Sequence, residues 1–313
     1  MKHFLEENNF TKEEIQSIFE NAFRFKENRK ARPSLDLKDQ SWGMLFYKNS
    51  TRTRVSFEVG IRELGGNPIL LDLSSTQIGR GESVQDTAKV LSRFLDGLVI
   101  RTHGHDLITE FANYAEIPVV NALTDFLHPC QIYSDCMTLL EKTSDSQNPA
   151  EGLKDKKLAF FGDTSCNMAN SWILAGAIWG LDIWLCGPEE FKPTKEIEDF
   201  CRKFDLPIQW HFTSDCKKAA HQADVLYTDV WVSMGCEDQK NERMEKMSPF
   251  RITEDLFEIA NQNALFMHCM PAHPGEEVTE EVLGSTRSIL FDQAENRLHM
   301  QKAILKQLVN IQN

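Results

Sequence analysis

Short apolar runs alternate with helix-length amphipathic segments from one end of the chain to the other, and no other feature limits its fold as sharply. In the first half the strand-like runs are 43–48, 68–73, 97–102 and 118–123, separated by helical stretches at 52–64, 83–94 and 106–115. The second half repeats the rhythm. Its runs are 157–163, 181–187, 207–212, 224–231 and 264–270, with helices near 167–179, 193–204, 214–222 and 253–261. Such alternation is the pattern of βαβ units on parallel sheets. At about 150 residues per domain, the 313 residues make two domains. The expected fold is α/β, with two doubly wound parallel-sheet domains. The polar, turn-rich stretch 142–157 is the natural boundary, giving domains over 1–145 and 146–290. The remainder, 291–313, carries a final helix whose apolar positions are 298, 304, 305, 308 and 311.

Composition narrows the function. A net charge of −13, from 34 Lys and Arg against 47 Asp and Glu, argues against nonspecific binding of nucleic acid or anionic lipid. Total charge does not describe a local pocket. No apolar run approaches the roughly 18 residues of a membrane span, and the opening MKHFLEENNF lacks a signal-peptide pattern. The eight cysteines, at 130, 136, 166, 186, 201, 216, 236 and 269, form no C-x-x-C pair, and most lie in apolar runs. They read as small buried hydrophobes in a reducing, cytoplasmic compartment, without disulfides or a zinc site.

In doubly wound folds ligands sit beyond the carboxyl ends of the strands, so the residues there are the ones to weigh. After the first strand comes Lys48-Asn-Ser50-Thr51-Arg52-Thr53-Arg54. Ser50 is a natural N-cap, and the free N–H groups of the next helical turn, with hydroxyls and an Arg fork, make a phosphate cradle. On a helix Arg52 and Arg54 project about 200° apart. Arg52 is expected to face the ligand and Arg54 to make a structural ion pair. A capped helix with surface arginines is the plainer reading of the same residues. No G-x-G-x-x-G or P-loop follows any strand, which weighs against a dinucleotide or nucleotide. Arg101 ends the third strand, and His128-Pro129-Cys130-Gln131 opens a long helix over 130–142, with Pro129 in its first turn. In the second half, Asn167 follows one strand, Asp229-Val-Trp-Val-Ser233-Met234-Gly another, and His268-Cys269-Met270-Pro the last. Asn, Asp and a thiol at strand ends suit recognition of an amino acid, although each alone also fits a cap or a packed core. The stretch 236–250, CEDQKNERMEKMSPF, has little apolar periodicity and reads as a long mobile loop.

Taken together, Ser-Thr-Arg-Thr-Arg, His-Pro-Cys-Gln, Asp-Val-Trp-Val-Ser-Met-Gly and His-Cys-Met-Pro closely resemble the aspartate/ornithine carbamoyltransferase family, most nearly its ornithine-using branch. The likeness spans nearly the whole chain, including 76–93 and 291–303. It implies that Ser50, Thr51, Arg52 and Thr53 hold the phosphate of carbamoyl phosphate. It further implies that Arg101, His128, Pro129, Cys130 and Gln131 line its carbamoyl end, with Arg297 nearby from the last helix. Gln77 matches a loop that enters a neighbouring subunit's site, which implies a homotrimer or a multiple of trimers. Asn167, Asp229, Ser233 and Met234 match the positions that hold ornithine. Cys269 and Met270 match the segment lying against the reacting centre, where it touches both carbamoyl phosphate and the side-chain amine. The family's domains close over the substrates and its last helix returns to the first domain. Two positions depart from the family pattern: Cys166 stands where many relatives carry a second Asn, and Met270 where Leu is usual.

The implied reaction is carbamoyl transfer to the side-chain amine of L-ornithine, giving citrulline and phosphate, with no metal, cofactor or covalent intermediate. Arg101, His128, Asp229 and Cys269 are its implied catalytic residues. The amine, with an ordinary pKa of about 10.4, must be neutral to attack, and Asp229 and Cys269 are expected to raise that neutral fraction. Arg101, His128 and the Thr53 hydroxyl are expected to stabilise the oxyanion. Putrescine or an N-acylated ornithine is the alternative acceptor, and a non-catalytic regulatory protein on the same fold is the remote one. The intact Ser233-Met234-Gly235 favours ornithine.

Overall fold

The computed structural model describes residues 1–29, 34–72, 81–232 and 237–311. The chain divides into two compact units, Met1–Gly152 with Glu295–Asn313, and Leu153–Ala294.

The first unit opens with helix α1 (Lys12–Glu27). It continues through β1 (Ser41–Phe46), α2 (Thr51–Glu63), β2 (Asn67–Asp72), α3 (Val84–Leu91), β3 (Gly97–Arg101), α4 (His105–Tyr114), β4 (Val119–Leu123), α5 (Pro129–Thr143) and α6 (Pro149–Gly152). Its four strands are all parallel, in the order β2-β1-β3-β4. Both faces of the inner strands are covered, so Met44, Leu45, Val99 and Ile100 are fully buried or nearly so. This double burial is why these strands read as continuous apolar runs and not as alternating ones. Before α1 the chain lies along β4: Phe4 N–H donates to the Val119 carbonyl at 2.9 Å and Asn121 N–H to the Phe4 carbonyl at 2.7 Å. That contact covers a sheet edge.

The second unit runs β5 (Lys157–Phe161), α7 (Asn167–Trp179), β6 (Asp182–Cys186), α8 (Lys195–Lys203), β7 (Trp210–Thr213), α9 (Cys216–Ala220), β8 (Val225–Thr228), α10 (Lys240–Met247), α11 (Glu254–Ile259), β9 (Leu265–His268) and α12 (Glu280–Gly284). Its five strands are also parallel, ordered β7-β6-β5-β8-β9. Gly187 allows the close approach of two strand ends: a Cβ there would meet the Gly162 carbonyl at 2.2 Å. The last helix, α13 (Leu290–Asn310), begins in this unit and from Glu295 onward belongs to the first. There Leu298, Ile304, Leu305 and Leu308 are buried.

Two elements depart from the sequence reading. Helix α1 escaped it, although Thr11 and Glu14 form a reciprocal capping box that the T-x-x-E spacing signals. The stretch read as a mobile loop is helical from Glu237 to Phe250, a 3₁₀ turn, α10 and a second 3₁₀ turn. Its helicity comes from charged i,i+4 pairs and from tethers to the unit, not from an apolar stripe. Lys246 pairs with Glu242 at 2.8 Å and with Glu190 at 3.0 Å, and Arg243 bonds Asp163 at 2.8 Å.

Candidate active site

Both sheets carry their chemistry where strand order reverses. In the first unit that point lies between β1 and β3, and the segments leaving those two strands are the ones rich in hydroxyls and guanidiniums. Ser50 caps α2, its Oγ accepting from Thr53 N–H at 3.3 Å. The first turn of α2 places Thr51 and Arg52 in solvent and Thr53 inward, 2% exposed. Arg101 sits at an irregularity in the β3–β4 ladder: Ile100 pairs with Asn121, but Arg101 pairs with Leu123. Such a bulge turns a side chain away from its regular direction. Arg101 Nη1 donates to Thr53 Oγ1 at 3.3 Å, and Arg297 Nη2, from α13, donates to the same oxygen at 3.2 Å. Both lone pairs of that hydroxyl are therefore occupied. Among the described residues its own proton meets no acceptor, so it is available to a bound anion.

Arg297 Nη1 also donates to Gln131 Oε1, and Gln131 Nε2 donates to Asp135 Oδ1 at 2.8 Å. Asp135 lies one turn beyond Gln131 on α5, a helix buried on every side from Pro129 to Leu140. Its polar residues stay satisfied locally, Ser134 and Thr138 returning their hydroxyls to carbonyls four residues back at 2.7 and 2.8 Å. Pro129 opens α5, where a missing N–H costs nothing. His128 is its N-cap residue, 4% exposed, and makes no side-chain cap bond. Burial first, then the charges of Arg297 and Arg101, hold its pKa well below the ordinary histidine value. The imidazole is therefore neutral, able to donate one N–H and accept at the other nitrogen. Cys130 is no nucleophile. Burial pushes its thiol up to about 12, and its Sγ donates to the Asn121 carbonyl at 3.2 Å.

In the second unit the reversal lies between β5 and β8. Asn167 begins α7, after β5, and Asp229 directly follows β8. Cys269 and Met270 directly follow β9. All four side chains are half-buried. Cys269 Sγ donates to Asp229 Oδ1 at 2.9 Å, and Val230 N–H donates to the same oxygen at 2.7 Å. Met270 adopts a left-handed backbone, φ 63°, with its N–H on His268 Nδ1 at 2.8 Å. That contact makes Nδ1 the acceptor and leaves Nε2–H facing Glu277 Oε1 at 3.2 Å. Asp229, His268 and Cys269 have ligand atoms within 4.8 Å of one another, as do His273, Glu276 and Glu277. Both ring nitrogens of His268 are already engaged, which leaves the first group short of a ligand.

Gln77, Ser233 and Met234 lie outside the described residues. Of the other expected site residues, Ser50, Thr51, Arg52, Thr53, Arg101, His128, Pro129, Cys130, Gln131 and Arg297 all belong to the first unit, and Asn167, Asp229, Cys269 and Met270 to the second. One expectation fails. Arg54 is exposed and forms no ion pair among the described residues, because its position on α2 points away from the buried network. Three contributors escaped sequence reading. Asp135 anchors Gln131, and its i,i+4 spacing was the available signal. Lys48 pairs with Asp125 while its side chain is only 6% exposed. Arg243 bonds both Asp163 and, at 3.1 Å, the Trp231 carbonyl just past Asp229; nothing in its local pattern marks it.

The fold and these strand ends define a two-domain α/β protein whose first unit gathers two buried guanidiniums and a hydroxyl at a helix N-terminus. Residues 2–141 match the family model for the aspartate/ornithine carbamoyltransferase carbamoyl-P binding domain, and residues 154–308 match that for the Asp/Orn binding domain. The chain is 46% identical to an ornithine carbamoyltransferase of Methanoculleus marisnigri over 95% of its own length and 93% of that protein's. Among solved structures, the ornithine carbamoyltransferase of Pyrococcus furiosus superposes with a TM-score of 0.87 at 40% identity, covering 97% of this chain and 96% of that one. An anabolic ornithine carbamoyltransferase of Campylobacter jejuni gives 0.89 at 38% identity, covering 99% and 100%. The chain belongs to the aspartate/ornithine carbamoyltransferase family.

Proposed function

We propose that the chain transfers the carbamoyl group of carbamoyl phosphate to the side-chain amine of L-ornithine, giving L-citrulline and phosphate. The observation that carries this reading is the convergence of Arg101 and Arg297 on the Thr53 hydroxyl at the start of α2. Two fixed guanidiniums, a hydroxyl proton and a helix N-terminus suit a phosphorylated, carbonyl-bearing anion. Ser50, Thr51, Arg52 and Thr53 take the phosphate. Arg101, His128, Gln131 and Arg297 take the carbamoyl end, and Pro129 and Cys130 shape the wall beside it. The neutral His128 suits an uncharged carbamoyl group, since its N–H donates without requiring a proton from solvent.

The neutral amine nitrogen attacks the carbamoyl carbon, the carbon–oxygen bond to phosphate breaks, and the one proton the nitrogen gives up goes to the departing phosphate. Negative charge gathering on the carbonyl oxygen meets Arg101, His128 and the Thr53 hydroxyl, a contribution of about 3 kcal/mol for each well-placed donor. A bare carboxylate beside an amine favours the ammonium, which cannot attack. The Cys269 thiol occupies one lone pair of Asp229, and the Val230 N–H another, so the carboxylate's pull on an ammonium is weakened while its free oxygen still orients the amine. Asn167, Ser233 and Met234 hold the amino-acid end, and Met270 lies against the reacting centre.

The intact Ser233-Met234-Gly235 favours ornithine over putrescine or an N-acylated ornithine. A colorimetric ureido assay with ornithine, putrescine, N-acetylornithine and aspartate tests this, and absence of citrulline from ornithine refutes it. Arg52→Ala should abolish carbamoyl phosphate binding, whereas Asp229→Ala should weaken ornithine use and leave phosphate-analogue binding intact. We read the enzyme as a cytoplasmic homotrimer, or a multiple of trimers, serving arginine metabolism. Free thiols at all seven described cysteines suit a reducing compartment. Exposed Val55, Ile69, Leu70 and Phe94 suit an assembled state. No helix among the described residues is long and apolar enough to cross a membrane. Light scattering on the purified chain checks the trimer.

A further inference from the structure

Cys186 ends β6 and Cys216 opens α9, and their sulfurs lie 3.7 Å apart within the second unit. Neither residue belongs to the site described above. Cys186 is fully buried and Cys216 half-buried. Their hydrogen bonds run in one direction: Cys186 S–H donates to Cys216 Sγ, and Cys216 S–H donates to the Pro249 carbonyl at 3.4 Å. We propose that Cys186 and Cys216 form a reversible dithiol–disulfide site, with the more accessible Cys216 as the attacking sulfur and the buried Cys186 as the resolving one.

The co-reactant is a low-molecular-weight disulfide, RSSR. Cys216, as thiolate, attacks one of its sulfurs. The RS–SR bond breaks, a mixed disulfide forms on Cys216, and the departing thiolate takes up the proton Cys216 released, leaving as RSH. Cys186 then loses its proton and attacks Cys216 Sγ. The mixed disulfide breaks and a second RSH leaves. Two protein thiols are oxidised and one small disulfide is reduced, with atoms and electrons balanced. The donor direction suits these roles. The hydrogen bond from Cys186 lowers the Cys216 pKa, while that donation and burial hold the Cys186 proton in place until the mixed disulfide forms. Closing the pair from 3.7 Å to a bond of about 2.05 Å draws Cys216 off the Pro249 carbonyl and ties the end of β6 to α9. Cys130, Cys136 and Cys201 are buried and Cys166 and Cys269 are half-buried like Cys216, so what distinguishes Cys216 is the second thiol 3.7 Å away.

The test is peptide mapping, without reduction, of the full-length reduced chain after exposure to millimolar glutathione disulfide. The wild type should lose two hydrogens in mass, yield a cross-linked Cys186–Cys216 peptide and retain no glutathione on Cys216. Dithiothreitol should restore both thiols. Cys186→Ser should stop at a stable glutathione adduct on Cys216, and Cys216→Ser should leave Cys186 unmodified. The proposal is overturned if the wild type stays reduced, if it accumulates the Cys216 adduct without the cross-link, if either sulfur pairs elsewhere, or if Cys186 reacts in Cys216→Ser.

Discussion

Replacing Thr53 by Val keeps the branched shape at a buried position of α2 and removes one oxygen. That oxygen accepts from Arg101 at 3.3 Å and from Arg297 at 3.2 Å. A hydrogen bond to a charged group contributes about 1.5–3 kcal/mol. These two are long, so the lower end applies to each, and together they hold the guanidiniums with about 3 kcal/mol. At about 1.4 kcal/mol per factor of ten, the change should lower kcat/KM for carbamoyl phosphate about a hundredfold. Thr53→Ser keeps the oxygen and both donors' acceptor, so it should stay within about threefold of wild type. Ureido formation at saturating ornithine, with carbamoyl phosphate varied, measures both variants, and a thermal melt confirms that each is folded. The reasoning fails if Thr53→Val keeps its carbamoyl phosphate kcat/KM, or if Thr53→Ser falls as far as Thr53→Val.

Three further perturbations probe other parts of the molecule. Arg243→Ala removes an ion pair at 2.8 Å whose partners are 11% and 10% exposed. It should raise KM for ornithine about tenfold with carbamoyl phosphate KM unchanged, and Arg243→Lys should recover part of the loss; an unaltered ornithine KM refutes the role. Cys269→Ser retains a donor to Asp229 and Cys269→Ala does not, so steady-state kinetics should show Ser keeping about tenfold more of the ornithine kcat/KM; equal losses would remove that contact from the mechanism. Burial, the largest cause in each case, holds His3 and His299 down to about 4 and His128 well below its ordinary value. In the unfolded chain these groups titrate near 6.5, so below that pH the unfolded state binds more protons and stability falls with pH. Urea midpoints should drop as pH goes from about 6.5 towards 4, with His299→Gln flattening the slope, and a level profile contradicts the burial argument.

What the sequence makes legible follows from how each residue is placed. Central parallel strands must be apolar on both faces, so Leu45, Val99, Phe160 and Leu226 announce their strands directly. The switch-point rule then brings Ser50, Arg101, Asn167 and Asp229 to strand ends from topology alone. Contacts between distant segments are not written locally. Nothing near Arg297 indicates that it shares the Thr53 hydroxyl with Arg101, 244 residues from one and far along the chain from the other. Helix α10 escaped for the opposite reason. Its sequence lacks an apolar stripe because its order comes from charged partners on other elements, Glu190 and Asp163, which periodicity cannot register.

A chain carrying −13 overall can still attract a doubly charged phosphate, because the two facts belong to different dielectric settings. Surface carboxylates are screened beyond about 10 Å by salt. Arg101 and Arg297, 8% and 5% exposed, act where water is scarce and Coulomb terms are several times larger. His128 reports the resulting field from within: after burial itself, the two guanidiniums are what depress its pKa. A protonated imidazole would add a third positive charge, but it would also have to be buried beside two others, and that cost keeps it neutral. The cradle therefore gets its positive field from two arginines that cannot lose their protons, and a neutral donor beside them for a carbonyl oxygen. Carbamoyl phosphate presents that division of charge, a dianionic end and an uncharged one. The same argument leaves the pocket's own charge unchanged across the ordinary histidine range, since neither guanidinium titrates there and His128 has already lost its proton, so pH dependence of anion affinity in that range belongs to the ligand's own phosphate ionisation.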